Sequence, residues 1–501
     1  MSQELELKLL IEPQQREAAL QLCQTIASGR IPVVSQLANT YYDTDDLRLR
    51  QFDIGLRIRR DNDQLEQTVK LAGRVIGGMH SRPEYNLPMV ENKPDLTLFK
   101  EDIWPPDFPL FDVQRQLNAI FTTDFTRHCW QLPSADGQIE LVFDEGEVIA
   151  GEQRQPLCEI ELELQGGSLE QAFQLARQLI KKVGARIGVL SKAARGYLLA
   201  QKSILEPFTQ AHFVAVKTDD NVASGLYRAL EYALKHWQHN DACLQEHSTV
   251  RAASGVADGM RLCKVVLQQL ANLDIDVSDL LLKLERVQNH FSWLKRYDGL
   301  AELIAEDGAY HRSLKRQSEL FESLQQAQQH ELQLTQVNQV RRQADYQLVL
   351  LNLAWLLQQQ PQTEAMQEAL SGWATNLLRD DWQRVLTLVE RDEELRAEHY
   401  LKLLPTLQHS LQLGVCFGQL FDSELRDEFR APWLDMVRGI REISALNILR
   451  DEIKAQAEHH QNDSEQIDKL LNWQEEQLES LMYALERSRR AALKREAYWF
   501  N

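Results

Sequence analysis

Near the start of the chain, Glu4-Leu5-Glu6-Leu7-Lys8 alternates three charges with two leucines. Successive side chains of a β-strand point to opposite faces. A strand here therefore puts both carboxylates and the ammonium on one face and the leucines on the other. Two carboxylates can hold a divalent cation, and an ammonium can hold a phosphate oxygen. That combination on one face suits a metal–phosphate ligand. The pattern recurs along the first part of the chain. Arg57 and Arg59 flank Ile58, Thr68 and Lys70 alternate with Gln67 and Val69, and Glu140 and Asp144 are in phase across Leu141 and Phe143. Glu159, Glu161 and Glu163 alternate with Ile160 and Leu162.

The elements that must carry these residues are strands up to about residue 205 and helices afterwards. Turn residues such as Gly77-Gly78, Ser134-Ala135-Asp136-Gly137 and Gly166-Gly167 separate the alternating segments. Helical patterns are expected at about 14–26, 168–183 and 190–202. Ten of the 14 prolines precede Pro207. Beyond residue 218, leucine, glutamine, glutamate and alanine dominate, with apolar residues three and four apart. Trp473, Leu478, Leu481, Met482 and Leu485 form one such stripe, after the helix-start signal Asn462-Asp463-Ser464-Glu465. The expected organisation is a β-rich domain over residues 1–205, a linker over 206–219 and an all-α domain over 220–501.

The 501-residue chain carries a net charge of −19, which argues against a general nucleic-acid binder or an anionic-membrane binder. A polyanionic ligand must then meet a local basic site. The six cysteines are scattered without a CxxC pair, so neither a thiolate zinc site nor a disulfide framework is expected. No basic segment followed by an apolar run opens the chain, and the most apolar stretch, Leu348 to Leu357, is too short to span a bilayer. A cytoplasmic setting is the expectation.

A wet face on an antiparallel sheet would produce the alternation by itself. Two features favour an enclosed face: acids and bases cluster on different strands, and the alternate residues are strongly apolar. A barrel with its polar face inward would gather these groups around one lumen.

The segments Glu4-x-Glu6-x-Lys8, Tyr41-Tyr42-Asp43-Thr44, Gly55-Leu56-Arg57-Ile58-Arg59, Thr68-Val69-Lys70, Arg82-Pro83-Glu84-Tyr85, Phe143-Asp144-Glu145-Gly146, Glu159-Ile160-Glu161-Leu162-Glu163 and Ser191-Lys192-Ala193-Ala194-Arg195-Gly196-Tyr197 together resemble the CYTH domain of the triphosphate tunnel metalloenzymes. The resemblance implies an eight-stranded antiparallel tunnel that binds a triphosphate together with Mg²⁺ or Mn²⁺. On that basis Lys8, Arg57, Arg59, Lys70, Arg127 and Lys192 are expected to bind phosphate oxygens. Arg195, one helical turn beyond Lys192, is expected to assist or to brace that helix. Glu4, Glu6, Asp144, Glu159 and Glu161 are the candidate metal ligands, and Glu4, Glu6, Lys8 and Lys192 the candidate catalytic groups. Glu84 and Glu140 are expected to hold basic residues in place, and Glu163 to complete the acidic row. The implied reaction is hydrolysis of a terminal phosphoanhydride.

A CYTH domain followed by an all-α region of this size resembles the bacterial CYTH–CHAD arrangement, in which inorganic triphosphatase is the most frequent activity. Two alternatives stay open. One is hydrolysis of an organic triphosphate such as thiamine triphosphate or a nucleoside triphosphate, and the other a polyphosphate-binding or sensing module with little turnover. CHAD-like helical domains bind polyphosphate, and the local basic faces at His311, Arg312, Lys315 and Arg316 and at Arg487, Arg490 and Lys494 are where this one would do so. The helical half is the more acidic of the two, which leaves a protein partner as the other expectation for it.

Overall fold

The computed structural model describes residues 2–208, 210–390, 394–459 and 464–500. The helix-start residues Asn462 and Asp463 lie outside them. The chain divides into two compact units. The first comprises Met1–Pro207, Gln238–His247 and Gln339–Gln359, and the second Phe208–Trp237, Ser248–Asn338 and Gln360–Asn501.

The first unit is built on ten strands: β1 (Ser2–Leu10), β2 (Val33–Asp43), β3 (Gly55–Asp61), β4 (Gln64–Lys70), β5 (Arg74–Ile76), β6 (Met79–Met89), β7 (Asn118–Ser134), β8 (Gly137–Ala150), β9 (Gln153–Gln165) and β10 (Arg186–Ile187). Their order in the sheet is β10-β1-β9-β8-β7-β2-β3-β4-β6-β5. A further antiparallel pairing of β1 with β6 closes eight of them into a barrel. Closure removes the exposed sheet edges that an open sheet of this composition would present. Leu7 of the opening pentapeptide and Leu9 just beyond it are buried on the outer face with Leu141, Phe143, Ile160 and Leu162, while Leu5 is half-buried.

Five helices accompany the barrel: α1 (Arg16–Ile26), α2 (Arg48–Gln51), α3 (Leu110–Gln116), α4 (Leu169–Val183) and α5 (Lys192–Leu199). Helix α4 is capped by Ser168, whose hydroxyl accepts from the Gln171 amide, and stops at Gly184 in the left-handed region at φ 64°. It lies against β1 and β9 and buries Ala172, Phe173, Ala176, Leu179, Ile180 and Val183. On another side, Leu56, Ile58 and Val69 pack with Leu96, Phe99, Ile103 and Val113.

Helix α5 positions chemistry directly. Ser191 caps it, accepting from the Ala194 amide, and places Lys192 at its first turn. Its far end is tied to β2, because the Tyr197 hydroxyl donates to Asp43 Oδ2 at 2.8 Å. The same Asp43 carboxylate accepts from the amides of Thr44, Leu49 and Arg50. Gly196 lets the helix come against the barrel, since a Cβ there would sit 2.0–2.4 Å from the ring of Phe121.

After α6 (Val222–Glu246) the remaining chain is helical: α7 (Val250–Asn272), α8 (Ser278–Asn289), α9 (Leu294–Ile304), α10 (His311–Leu314), α11 (Ser318–Glu331), α12 (Leu334–Arg341), α13 (Ala344–Gln359), α14 (Leu370–Val389), α15 (Ala397–Phe417), α16 (Ser423–His459) and α17 (Ser464–Ala492). Within the second unit α16 packs along α17 and α9. The stripe read from the sequence faces this core: Trp473, Leu478 and Leu481 pack against buried Leu300, Leu446 and Leu449. No helix among the described residues is long and apolar enough to cross a membrane.

Replacing Gly196 with alanine should push α5 off Phe121. Overpacking of this kind costs about 1–3 kcal/mol, so Gly196→Ala should unfold at lower denaturant concentration than the parent chain in a circular-dichroism titration.

Candidate functional site: a charged tunnel

The barrel encloses a cavity of about 330 Å³. Seven basic residues line it, namely Lys8, Arg57, Arg59, Lys70, Arg82, Arg127 and Lys192, with six acids, Glu4, Glu6, Glu84, Glu140, Glu161 and Glu163. Among these charges β1 and β6 carry both signs, β3, β4 and β7 only bases, and β8 and β9 only acids.

Cross-strand register builds the acidic side. Asp144 on β8 stands opposite Glu159 on β9, and Glu161 is the next inward position of β9, opposite Lys8 on β1. One carboxylate oxygen from each of Asp144, Glu159 and Glu161 lies within 4.8 Å of the others, and all three residues are buried. Three bases hold this triad. Lys8 Nζ donates to Glu159 at 2.8 Å and to Glu161, and stands 3.7 Å from Glu6. Lys192 Nζ lies 2.7 Å from Asp144, 2.5 Å from Glu159 and 2.9 Å from Glu161. Arg127 forks onto both oxygens of Asp144 at 2.8 and 2.7 Å and reaches Glu161 at 3.0 Å. Burial alone would raise these carboxyls, but Arg127 and Lys192 keep Asp144 low, Lys192 and Lys8 keep Glu159 low, and the same two lysines with Arg127 hold Glu161 well below its ordinary range.

Glu4 and Glu6 stand outside the triad. Glu4 pairs with Lys70 at 2.5 Å, and burial outweighs that pairing to raise its pKa. Burial and the neighbouring Glu161 also raise Glu6. Lys70 is shared with Glu84 at 3.1 Å, and Glu84 also lies 3.6 Å from Arg57. Burial opposes ionisation of Glu84, yet Lys70 and Arg57 outweigh it and bring its pKa to about 2. Glu140 differs from its expected role of holding a base. It accepts from the side-chain amides of Gln131 and Gln165, both at 2.8 Å. Across the β8–β9 pair it faces Glu163, which burial and the Glu140 charge push up to about 7.

The basic side is less compensated. Arg59 has a single side-chain partner, Asn39 Oδ1, which accepts from Nε at 3.0 Å, and it makes no ion pair among the described residues. Burial, with Arg57 and Arg127 nearby, lowers its pKa to about 10. Arg57 Nε, Thr68 Oγ1 and Arg82 Nε are buried polar atoms without a hydrogen-bond partner. Orphaned buried donors carry a desolvation cost and mark places where an acceptor fits.

Arg195 is not among the cavity-lining residues. Its guanidinium donates to the Pro156 carbonyl at 2.5 Å and stands 3.5 Å from Glu159. That arrangement braces α5 against β9. Nine lining residues lie outside the site residues expected from the sequence, among them Tyr41, His80, Arg82 and Asn86. His80, Arg82 and Asn86 are in phase with Glu84 along β6, so the same alternation points to them. His80 stays neutral, because burial and Lys8 lower its pKa to about 4. Its Nε2–H donates to the Gly188 carbonyl at 3.0 Å.

Residues 2–197 match the CYTH domain. A stretch of 208 residues, 41% of this chain, is 39% identical to an inorganic triphosphatase of Haemophilus influenzae and covers 57% of that protein. The chain thus spans little more than half the length of this curated relative. Among solved structures, a putative adenylyl cyclase from Hippeastrum, described as having a dominant triphosphatase activity, aligns with 39% of this chain and 95% of its own at 19% identity and a TM-score of 0.32. The CHAD domain from the plant Ricinus communis aligns with 57% of this chain and 97% of its own at 14% identity and a TM-score of 0.46. The residues that match the CYTH domain take in all ten strands of the first unit.

Proposed function

We propose that the tunnel hydrolyses inorganic triphosphate to diphosphate and phosphate with a divalent cation, Mg²⁺ or Mn²⁺. The observation that carries this reading is Arg59, half-buried beside Arg57 and Arg127 and without a carboxylate of its own. A protein keeps such a group where a polyanion offsets it. The inorganic substrate is favoured over an organic triphosphate by the lining. Its only aromatic rings are the Tyr41 phenol and the His80 imidazole, and its other side chains are mostly charged or amide. A purine or thiazole would want apolar or stacking surface in a pocket of this kind.

The donor set of Asp144, Glu159 and Glu161 is all carboxylate oxygen, which fits a hard divalent cation. Glu6 and Glu4, farther along the same wall, complete the acids available to it or to its waters. The cation supplies charge neutralisation on the phosphoryl oxygens when bound. Arg57, Arg59 and Arg127 bind phosphate oxygens through guanidinium forks, and Lys8, Lys70 and Lys192 through ammonium donors. These bases neutralise the charge that builds on the leaving oxygens as water attacks the terminal phosphorus in line. Walls of backbone-paired strands hold the groups before the substrate arrives, so little reorganisation is needed during the reaction. Lys192 enters from the capped start of α5, so that helix aims an ammonium donor at the tunnel.

Phosphate release measured against inorganic triphosphate, thiamine triphosphate, ATP and long-chain polyphosphate should show a clear preference for the first. Conversion of ATP to a cyclic nucleotide as the main reaction would sink the proposal. Excess EDTA should abolish turnover and added Mg²⁺ or Mn²⁺ restore it. Glu161→Gln should lower kcat by about 10²-fold or more, the range seen when one preorganised electrostatic group is lost, with the barrel still folded. Arg59→Met should weaken turnover of triphosphate while making the free protein more heat-resistant. Removing an under-compensated, half-buried cation relieves strain, and each kcal/mol so gained raises the melting temperature by about 2–4 °C in a domain of this size. Equal melting temperatures would mean that Arg59 is better solvated than its surroundings indicate.

A further inference from the structure

Barrel closure leaves a seam beside β1. Its first half pairs with β6 as far as Leu7, opposite Met79. Beyond that point the two-residue strand β10 takes over, with Leu9 opposite Ile187 and Leu10 opposite Arg186. The residue after β10, Gly188, touches the tunnel floor three ways. Its amide donates to the Lys8 carbonyl at 2.9 Å. Its carbonyl accepts from His80 at 3.0 Å. Its Cα lies so close to the Lys8 stem that a Cβ would sit 2.8 Å from Lys8 Cγ. Placement of the ammonium that joins Glu159 to Glu161 therefore depends on this short segment.

What holds the segment from outside is Gln347, on α13, within the same compact unit as the barrel. Gln347 is buried. Its Oε1 accepts from the Ile187 amide at 2.8 Å, and its Nε2 donates to the Arg341 carbonyl at 2.6 Å. The two ends of the amide cannot be exchanged, because a backbone N–H only donates and a carbonyl only accepts. Helix α13 is itself anchored. Arg341 and Tyr346 both bond Asp241 at 2.5 Å, Arg177 donates to Asn352 at 3.1 Å, and the rings of Phe173 and Trp355 lie 5.0 Å apart.

We propose that Gln347 is a positioning residue of the tunnel, fixing Arg186–Gly188 and through it Lys8 and the carboxylates that Lys8 joins. The proposal rests on the phosphohydrolase reading for its kinetic consequence and on geometry alone for its effect on the metal-binding acids. It links a helix some 340 residues downstream to the opening pentapeptide (347 − 8 = 339).

The test compares full-length wild type, Gln347→Met, Gln347→Glu and Asn352→Ala. Steady-state hydrolysis of inorganic triphosphate gives kcat and KM, and calorimetric titration with Mn²⁺ alone gives metal affinity without turnover. Gln347→Met keeps the length and loses the acceptor. It should weaken Mn²⁺ binding about 10-fold, as loss of an outer-shell partner does, and lower kcat by a similar factor. KM should change less than about threefold, because Arg57, Arg59 and Arg127 are untouched. Gln347→Glu retains an oxygen for Ile187 and should recover part of both losses. Asn352→Ala loosens the same helix without touching Ile187, so its kcat and Mn²⁺ affinity should match wild type whatever its melting temperature.

Wild-type kcat and Mn²⁺ affinity in Gln347→Met would overturn the proposal, and so would equal losses in Asn352→Ala. Should Gln347→Met fail to fold, Gln347→Asn decides, because its shorter side chain keeps the amide but withdraws the acceptor from Ile187. The same losses support the proposal, and wild-type values overturn it. If wild type hydrolyses no triphosphate, the functional reading falls, while the Mn²⁺ comparison still decides the positioning role.

Discussion

A charge taken out of water is tolerated only beside a partner held at the right distance, and in this barrel strand register supplies the partner. Burial of an unpaired ion costs several kcal/mol even after relaxation. Asp144, Glu159 and Lys8 are each essentially without solvent contact, so each depends on what the neighbouring strand presents. The antiparallel pairs put Arg127 opposite Asp144, Lys8 opposite Glu161 and Lys70 opposite Glu84. A slip of one residue in any of these pairings would send the whole inward row to the apolar outer face. The outer leucines, isoleucines and phenylalanines therefore do more than stabilise the shell: they set the register that makes the charged lumen bearable.

Compensation is uneven, and the unevenness has chemical meaning. The acids of the triad are matched by bases, since Lys8, Lys192 and Arg127 converge on three carboxylates. Farther round the wall, Arg59 has only an amide oxygen. Nothing in folding requires a guanidinium at that position. An apolar residue there would cost less, as buried ion pairs replaced by hydrophobic groups show. A polyanion reaching the arginines would compensate them and at the same time offer Lys8 and Lys192 alternative acceptors. The same rearrangement would free carboxylate oxygens for a cation. Under the proposed function, stability given up at Arg59 would serve binding, in line with the strain that functional sites commonly keep.

How far this was legible in the sequence depends on the range of the interaction. Period-two alternation requires only neighbours along one strand, so the inward rows at Glu4–Lys8, Arg57–Arg59 and Glu159–Glu163 could be read directly. The apolar row on the other face favoured an enclosed polar face, and the eight-stranded closure was implied by the resemblance to the CYTH domain. Which acids meet could not be read, because Asp144 joins Glu159 and Glu161 through pairing of β8 with β9, and alternation alone does not specify register between strands. Glu140 illustrates the limit. It lies on the inward face as the pattern implies, yet its opposite number is Glu163 and its partners are glutamines rather than a base. His80, Arg82 and Asn86 were within reach of the same alternation along β6, but two prolines in that strand, Pro83 and Pro88, blurred its pattern. Gln347 lay beyond any local signal, since one glutamine in a Gln-rich helix carries no mark of the amide it accepts from.

Register also explains why three charges on one face of β1 do not share one role. Residues two apart on a strand are separated by about 6.6 Å along its axis, so Glu4, Glu6 and Lys8 sample different depths of the tunnel. They also meet different neighbours. Glu4 sits where β1 pairs only with β6 and faces Arg82, with Lys70 in reach. Lys8 sits past the end of that pairing, facing Glu161 on β9 and braced by Gly188. Glu6 lies between, paired with His80 on one side and Glu163 on the other. His80 is neutral and Glu163 is itself raised, so neither offers Glu6 a countercharge, and its nearest base is Lys8 at 3.7 Å. Of the acids on β1, Glu6 is therefore the one with most to gain from a cation. Glu4, already held by Lys70, is better placed to keep that lysine oriented.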